Sequence, residues 1–500
     1  MKRIKKCSFL LYGLLVVGFF NACTGLRTDR ELRIVDCELL SARPLIFPDY
    51  TDVTVPSTIA PLNFRLANRN YEMVHVNVKG GKSGEFSLQS ASEVRFHDKE
   101  WKKILGENVG DKIELTLSVK SGGRWEQYSS FPIYISSYPI DYGLTYRLVV
   151  PGYEVYSKMG IYERELSNFR ERALIENTVV PGSCINCHAY NQCNPDNMSL
   201  HVRGVHGGTF LRGGSGKGLV LLDTKAPESL SSFVYPYWHP SGRFVAYSVN
   251  KTLQMFHAAK DKLIEVLDLA SDIVVYDVRE NKSLSSSLLS SSDFETFPSF
   301  SPDGRSLYFC RASSQSVPEN YKQIRYNLCR IDFDPESGVF GQHIDTLINA
   351  DALGKSISFP RPSFDGRYII YTLLDYGNFG IWHQEADLYL LNLSDGSMRE
   401  LCEINSPAAE SYHNWSSNSR WLVFGSRRID GLYTHPYIVS VDEDGHVGKP
   451  FLLPQPSADF YEDSFYSYNI PEFVTKPVSF DANEAANMLM APGRMRINGK

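Results

Sequence analysis

The chain has 500 residues, 43% hydrophobic and 13% aromatic, with 51 basic against 57 acidic side chains and a formal net charge of −6. So even a balance, with no basic run beyond the first few residues, excludes the electrostatic footprint of a nucleic-acid binder. The length implies two or three domains, and 36 Gly, 26 Pro, 29 Tyr and 28 Phe favour β structure with many turns.

Residues 1–22 read as an export signal. Lys2, Arg3, Lys5 and Lys6 precede an apolar stretch from Ser8 to Phe20 that is too short to span a bilayer, and Ala22 stands before Cys23. Phe20-Asn21-Ala22-Cys23 resembles a bacterial lipoprotein cleavage box. The resemblance implies lipidation of Cys23 and a membrane-anchored place in the cell envelope. Thr24 carries no signal for inner-membrane retention. Residues 23–140 follow as a first domain. Leu62–Leu66, Met73–Val78, Ile113–Val119 and Phe131–Ile135 alternate apolar and polar residues, which predicts a small antiparallel β-sandwich without a catalytic motif.

Residues 141–475 form the second domain. Its first notable stretch is Cys184-Ile-Asn-Cys187-His188. C-x-x-C-H is the attachment signature of c-type haem, and composition alone gives about 0.004 chance occurrences in this chain. Two thiols at this spacing suit the two vinyl groups of one porphyrin, and the adjacent imidazole suits the iron. On this reading Cys184 and Cys187 tether haem c and His188 is the proximal ligand. Met198, His201, His206 and His239 are candidates for the sixth position. Two other chemistries fit the same residues: a structural disulfide between Cys184 and Cys187, exchanging with Cys193, and a zinc site of Cys184, Cys187, His188 and Cys193. Pro181, Gly182, Asn194 and Pro195 predict that the motif lies in a loop.

Four segments then align without gaps: Tyr235–Arg243, Phe297–Arg305, Phe359–Arg367 and Tyr412–Arg420. Each reads as strand, tight turn, strand, with Ser-Gly, Asp-Gly, Asp-Gly and Asn-Ser at the turn. A second strand signature follows each copy, at Asp272–Asp277, Asn327–Asp332, Asp387–Asn392 and Pro436–Val441. Two hairpins per repeat make a four-stranded propeller blade. His239 stands where the other copies have Ser301, Ser363 and Ser416, and reads either as a ligand or as a hydrogen-bonded turn residue. Asp303 and Asp365 are turn residues that cap their own backbone, and Arg243, Arg305, Arg367 and Arg420 pair within or between blades. Cys310 and Cys329 end and begin neighbouring strands, and read equally as a disulfide within reach or as two buried thiols.

The four copies, over residues 230 to 455, resemble the TolB-type propeller family. Strand candidates at 146–150, 160–166, 198–202, 209–211 and 218–222 supply two further units, and Phe465–Phe473 supplies the missing inner strand of the first. The expected fold is therefore all-β, an N-terminal β-sandwich followed by a six-bladed TolB-like propeller, with 476–500 a loosely ordered tail. The whole chain is similar to a group of bacterial envelope lipoproteins in Tyr153–Tyr156, Pro181–Tyr190, Arg203-Gly204, Gly207–Thr209 and Trp238–Gly242. Two functions follow as expectations. One is a covalent haem-c protein that transfers electrons to a redox partner or senses a ligand. The other is a non-catalytic scaffold for envelope proteins. Gly213–Gly218 fails the phosphate-loop pattern, and no G-x-S-x-G or H-E-x-x-H motif is present.

Overall fold

The computed structural model describes residues 37–68, 70–150, 158–213, 218–224, 230–258 and 262–498. The export signal, Cys23, Tyr153–Tyr156 and most of the Gly213–Gly218 run lie outside these residues. The chain is all-β, 7% helix and 49% strand, in a propeller-like arrangement preceded by a separate N-terminal sheet.

Residues 37–140 differ from the expected antiparallel sandwich. Their main sheet has seven strands and is mixed, because Cys37–Leu39 runs parallel to Arg124–Gln127 and Thr54–Pro56 runs parallel to Phe131–Ser136. Val74, Val76 and Val78 alternate with polar residues and face Val119, Leu117 and Leu115 across the ladder, so one face is apolar and buried. A helix, Asp98–Glu107, packs its Trp101, Ile104 and Leu105 into the same core, three and four positions apart on one helical face. The Trp101 indole donates to the Ile59 carbonyl at 3.1 Å. That core runs on without a break into blade residues such as Trp415, Trp421 and Tyr468, so the domain is docked and not tethered. The Trp421 indole donates to Pro139 O at 2.9 Å, and Arg65 pairs with Asp459 and Glu462.

The blade units are antiparallel meanders. Four separate sheets each carry one four-stranded unit, and a further eight-stranded sheet runs from Val234 to Ile348. Ser467–Val474 pairs with Gly143–Val149 and supplies the inner strand of the first sheet, as the sequence predicts, so the two ends of the array meet in one ladder. The repeated turns are built from their own side chains. In the second copy the Ser301 hydroxyl donates to Asp303, Asp303 accepts the Arg305 amide, and Ser301 Oγ accepts the Ser306 amide. Ser363 with Asp365, and Ser416 with Asn418, repeat the pattern. Of the repeated arginines, Arg243 pairs with Asp277 and Arg420 with Asp365 of the preceding turn.

Residues 482–498 carry a helix and a short strand, which corrects the loose tail expected over 476–500. Asp481 caps a helix, Ala482–Met490, by accepting the amides of Asn483 and Glu484. Its Ala485 and Leu489 are buried, and Met495–Arg496 adds a parallel strand beside Leu222–Asp223.

Candidate functional site

The inner strands share one irregularity. Tyr235, Phe297, Phe359, Tyr412 and Ile470 all have φ between 49° and 56°, a left-handed conformation rare outside glycine. Each sits at a register shift in its ladder. Such residues cost about 1–3 kcal/mol each and cluster where function demands them. The shift turns their side chains inward, where the rings meet round the axis: Tyr235 edge-on to Phe297 at 4.5 Å, Phe297 tilted against Phe359 at 4.2 Å and Phe359 edge-on to Tyr412 at 5.2 Å between centroids. On Ser183–Asn191 the same shift falls between Asn186 and His188, so Cys187 takes the place that an aromatic ring or Ile470 takes elsewhere. Ile470-Pro471 and Cys187-His188 are thus further copies of the Tyr235-Pro236 step. The sequence alignment missed both because neither carries the turn signature behind it.

Above this ring opens a cavity of about 580 Å³. Tyr235, Phe359, Tyr412 and Ile470 line it from the axis; Cys184, Asn186, His201 and Arg203 line it from one blade, and Arg147 from the preceding one. Arg147 donates to Asn186 Oδ1 at 2.5 Å. Among the described residues neither Arg147 nor Arg203 has an ion pair, and the described lining contains no Asp or Glu. The strands Phe244–Phe256 and Ile264–Asp277, 13 and 14 residues long, run past their blade as a ribbon. Asn250, Thr252, Gln254 and Phe256 of this ribbon form another wall.

The ribbon is fastened at a distant blade. His383 bridges Glu265 at 3.0 Å and Glu385 at 3.2 Å, Tyr376 donates to Glu265 at 2.6 Å, and Lys262 pairs with Glu385 at 3.1 Å. Nearer the axis, the buried Asp268 accepts from Tyr326, Asn378 and Asn250. Burial pushes the His383 imidazole down, but the two carboxylates more than offset this and its pKa is raised. Burial likewise lifts Glu385, yet His383 and Lys262 hold it at about 2. A raised histidine stabilises fully below its ordinary value near 6.5 and loses that contribution as pH rises through its folded value. A lowered glutamate stabilises above its ordinary 4.5 and loses the contribution as pH falls. The latch is therefore strongest from about pH 4.5 to 6.5. Hydrogen-exchange protection factors of the Ile264–Asp268 amides should fall as pH is raised above that window, and His383→Gln should remove the dependence. Equal protection factors in both proteins across pH 5–9 would refute the latch.

The expected ligand set does not assemble. Ser183–Asn191 is a buried strand paired with Asn194–Gly204, and not a loop. Cys184 opposes Arg203 and Asn186 opposes His201 on the cavity face, whereas His188 opposes Leu200 on the other face. The His188 ring is 4% exposed, packs edge-on to Tyr190, and is pushed down to about pKa 4 by burial. A c-type haem needs both thiols and the imidazole on one side of one porphyrin, so these residues do not fit the group. Burial also raises the Cys187 thiol. Met198 is buried in the blade core, His206 lies in the turn after Gly204, and only His201 of the sixth-ligand candidates faces the cavity, its Nδ1 3.0 Å from Thr209 Oγ1. His239 holds neighbouring turns together: its Nε2 donates to Gly304 O at 3.0 Å and its Nδ1 accepts the Ser241 amide at 3.1 Å.

The cysteines are corrected in the same way. All seven described cysteines are free. Cys193 sits at the far end of the hairpin from Cys184, more than about 20 Å away at 3.3 Å per residue, and no cluster of three or more His, Cys, Asp or Glu fit for a metal occurs among the described residues. Cys310 faces Leu328 and Cys329 faces Phe309, one residue out of step. Their thiols therefore enter two different cores on opposite sides of the sheet, and no disulfide joins them.

No family model matches the chain, and no curated protein does. Solved structures share its general architecture at low similarity. A manganese-bound oligogalacturonate lyase is 10% identical over 62% of this chain and 74% of its own, with a TM-score of 0.36. Prolyl oligopeptidase B from Galerina marginata is 9% identical over 67% of this chain and 42% of its own, at 0.35. A DUF4784 family protein from Bacteroides caccae is 9% identical over 72% and 96%, at 0.27. These likenesses concern the propeller-like fold and not the chemistry of the cavity.

Proposed function

We propose that the chain is a six-bladed propeller that acts as a binding protein and takes an anionic, ring-bearing ligand into its axial cavity. Two things support the blade count. The eight-stranded sheet divides into two four-stranded meanders joined by the single parallel pair Ser271 and Phe294. Six inner strands also carry the same register shift. The observation that carries the functional reading is the charge of the lining: two guanidinium groups, an aromatic floor and no carboxylate among its described residues. Arginine forks select carboxylate and phosphoryl oxygens, and an aromatic floor selects rings. Export and lipidation at Cys23 would place this binding in the cell envelope.

The test uses phenyl phosphate, with phenol as the uncharged control, in calorimetric titrations of the full chain. Phenyl phosphate should bind and phenol should not. Charge-assisted hydrogen bonds contribute about 1.5–3 kcal/mol each, so the Arg147→Gln/Arg203→Gln double variant should bind about 100-fold more weakly or worse. Unchanged affinity in that variant, or no binding by the wild type, would refute the reading.

A further inference from the structure

A second cavity lies beside the last two repeats, at the tip of the ribbon. It measures about 690 Å³, and Leu263, Pro407, Ala408 and Leu432 give it apolar walls. Arg427 and Trp382 also line it. Arg427 follows the strand Trp421–Ser426 and is only 4% exposed. Its guanidinium carbon lies 3.1 Å from the centroid of the Trp382 ring.

What distinguishes Arg427 is that no ion pair holds it among the described residues. Its Nη1 makes one long contact, 3.4 Å to Gly431 O, and its Nε has no partner among the described residues. Its neighbour Arg428 shows the alternative, pairing with the buried Glu410 at 3.2 Å. Asp430 also lines the cavity and its charge acts on Arg427, but the two form no ion pair, and its Oδ1 accepts the backbone amides of Leu432 and Tyr433. A buried cation without an ion pair is costly to hold, and where the cost is tolerated the group acts on something else. Burial drives the Arg427 pKa down to about 9, which still leaves it charged at neutral pH.

We propose that Arg427 anchors a second binding site, separate from the axial cavity, for a small carboxylate with an aliphatic body. The planar fork, held flat by Trp382, matches the two oxygens of a carboxylate. The apolar walls match the rest of such a ligand.

The probe is 3-methylbutanoate, with its neutral amide as control, titrated into the full chain by calorimetry with a parallel thermal melt. The acid binds and raises the melting temperature, and the amide does neither. Arg427→Met lowers the affinity at least tenfold, and without probe it melts at or above the wild-type temperature because an unpaired buried charge has gone. Leu432→Trp, which fills the cavity and leaves the guanidinium in place, also weakens binding. Arg147→Gln/Arg203→Gln leaves it unchanged, so this site and the axial one fail independently. No binding of the acid, equal affinity in Arg427→Met, or a marked drop in that variant's melting temperature overturns the proposal; the last would make Arg427 a structural cation.

Discussion

A chain ending at Tyr466 should show no cooperative thermal transition. The lost segment contains the strand Ser467–Val474, the inner member of the first blade, and the helix that packs behind it. Phe473, Val474, Val478 and Leu489 are all 1% exposed or less. At about 1.5–3 kcal/mol for each buried side chain, their loss costs roughly 6–12 kcal/mol, comparable with the roughly 5–15 kcal/mol that holds a whole domain folded. Gly143–Val149 is left as an open edge at the centre of the array, where unpaired amides and carbonyls invite association with other chains. A chain ending at Ser479 keeps the strand and loses the helix and the short Met495–Arg496 strand, so it should melt cooperatively at a lower temperature. Circular dichroism melts of the two truncations check this. A cooperative melt of the shorter chain within a few degrees of the full-length protein would show that the ladder does not depend on its closure.

The second large effect is expected at Gly304. Its φ is +72°, and a Cβ there would stand 2.1 Å from His239 Nε2. A left-handed alanine costs about 1–2 kcal/mol, and forcing the imidazole aside adds about 1–3 kcal/mol, so Gly304→Ala should lose roughly 2–5 kcal/mol in denaturant unfolding. Gly366 provides an internal control. It has the same backbone conformation, φ +75°, but the nearest atom to its Cβ is Pro302 Cγ at 4.0 Å. Gly366→Ala should therefore cost the backbone term alone. Adding His239→Ser, the residue type at this position in the other copies, should return Gly304→Ala to the level of Gly366→Ala. If the double variant is no more stable than Gly304→Ala, the His239 ring is not what makes Gly304 necessary.

What was legible in the sequence is what is locally determined. The Ser-x-Asp-Gly-Arg turns close on their own side chains within five residues, so their pattern survives in the sequence and predicts the hairpins. The closing strand was legible because the first unit lacked an inner partner. The Asp98–Glu107 helix was missed because one short apolar triplet, Trp101, Ile104 and Leu105, is a weak periodic signal between strong strands. Cys310 and Cys329 misled because a one-residue offset in register, invisible in sequence, reverses the face of a side chain. Cys184-x-x-Cys187-His188 misled for the same physical reason. Four positions along a regular strand keep the same face, and the shift at Cys187 reverses it, so spacing that suits a porphyrin in other backbones separates Cys184 from His188 here.

That shift has a consequence for selectivity. An axis built from repeated positions offers a guest several near-equivalent orientations, and a site that tolerates them all pays in specificity. Cys187 breaks this degeneracy. Where its neighbours round the ring present Tyr235 and Ile470, it presents a small buried thiol, so the ring is not uniform at that position. A guest in the proposed axial site would meet one position unlike the rest, which would favour one orientation over the others.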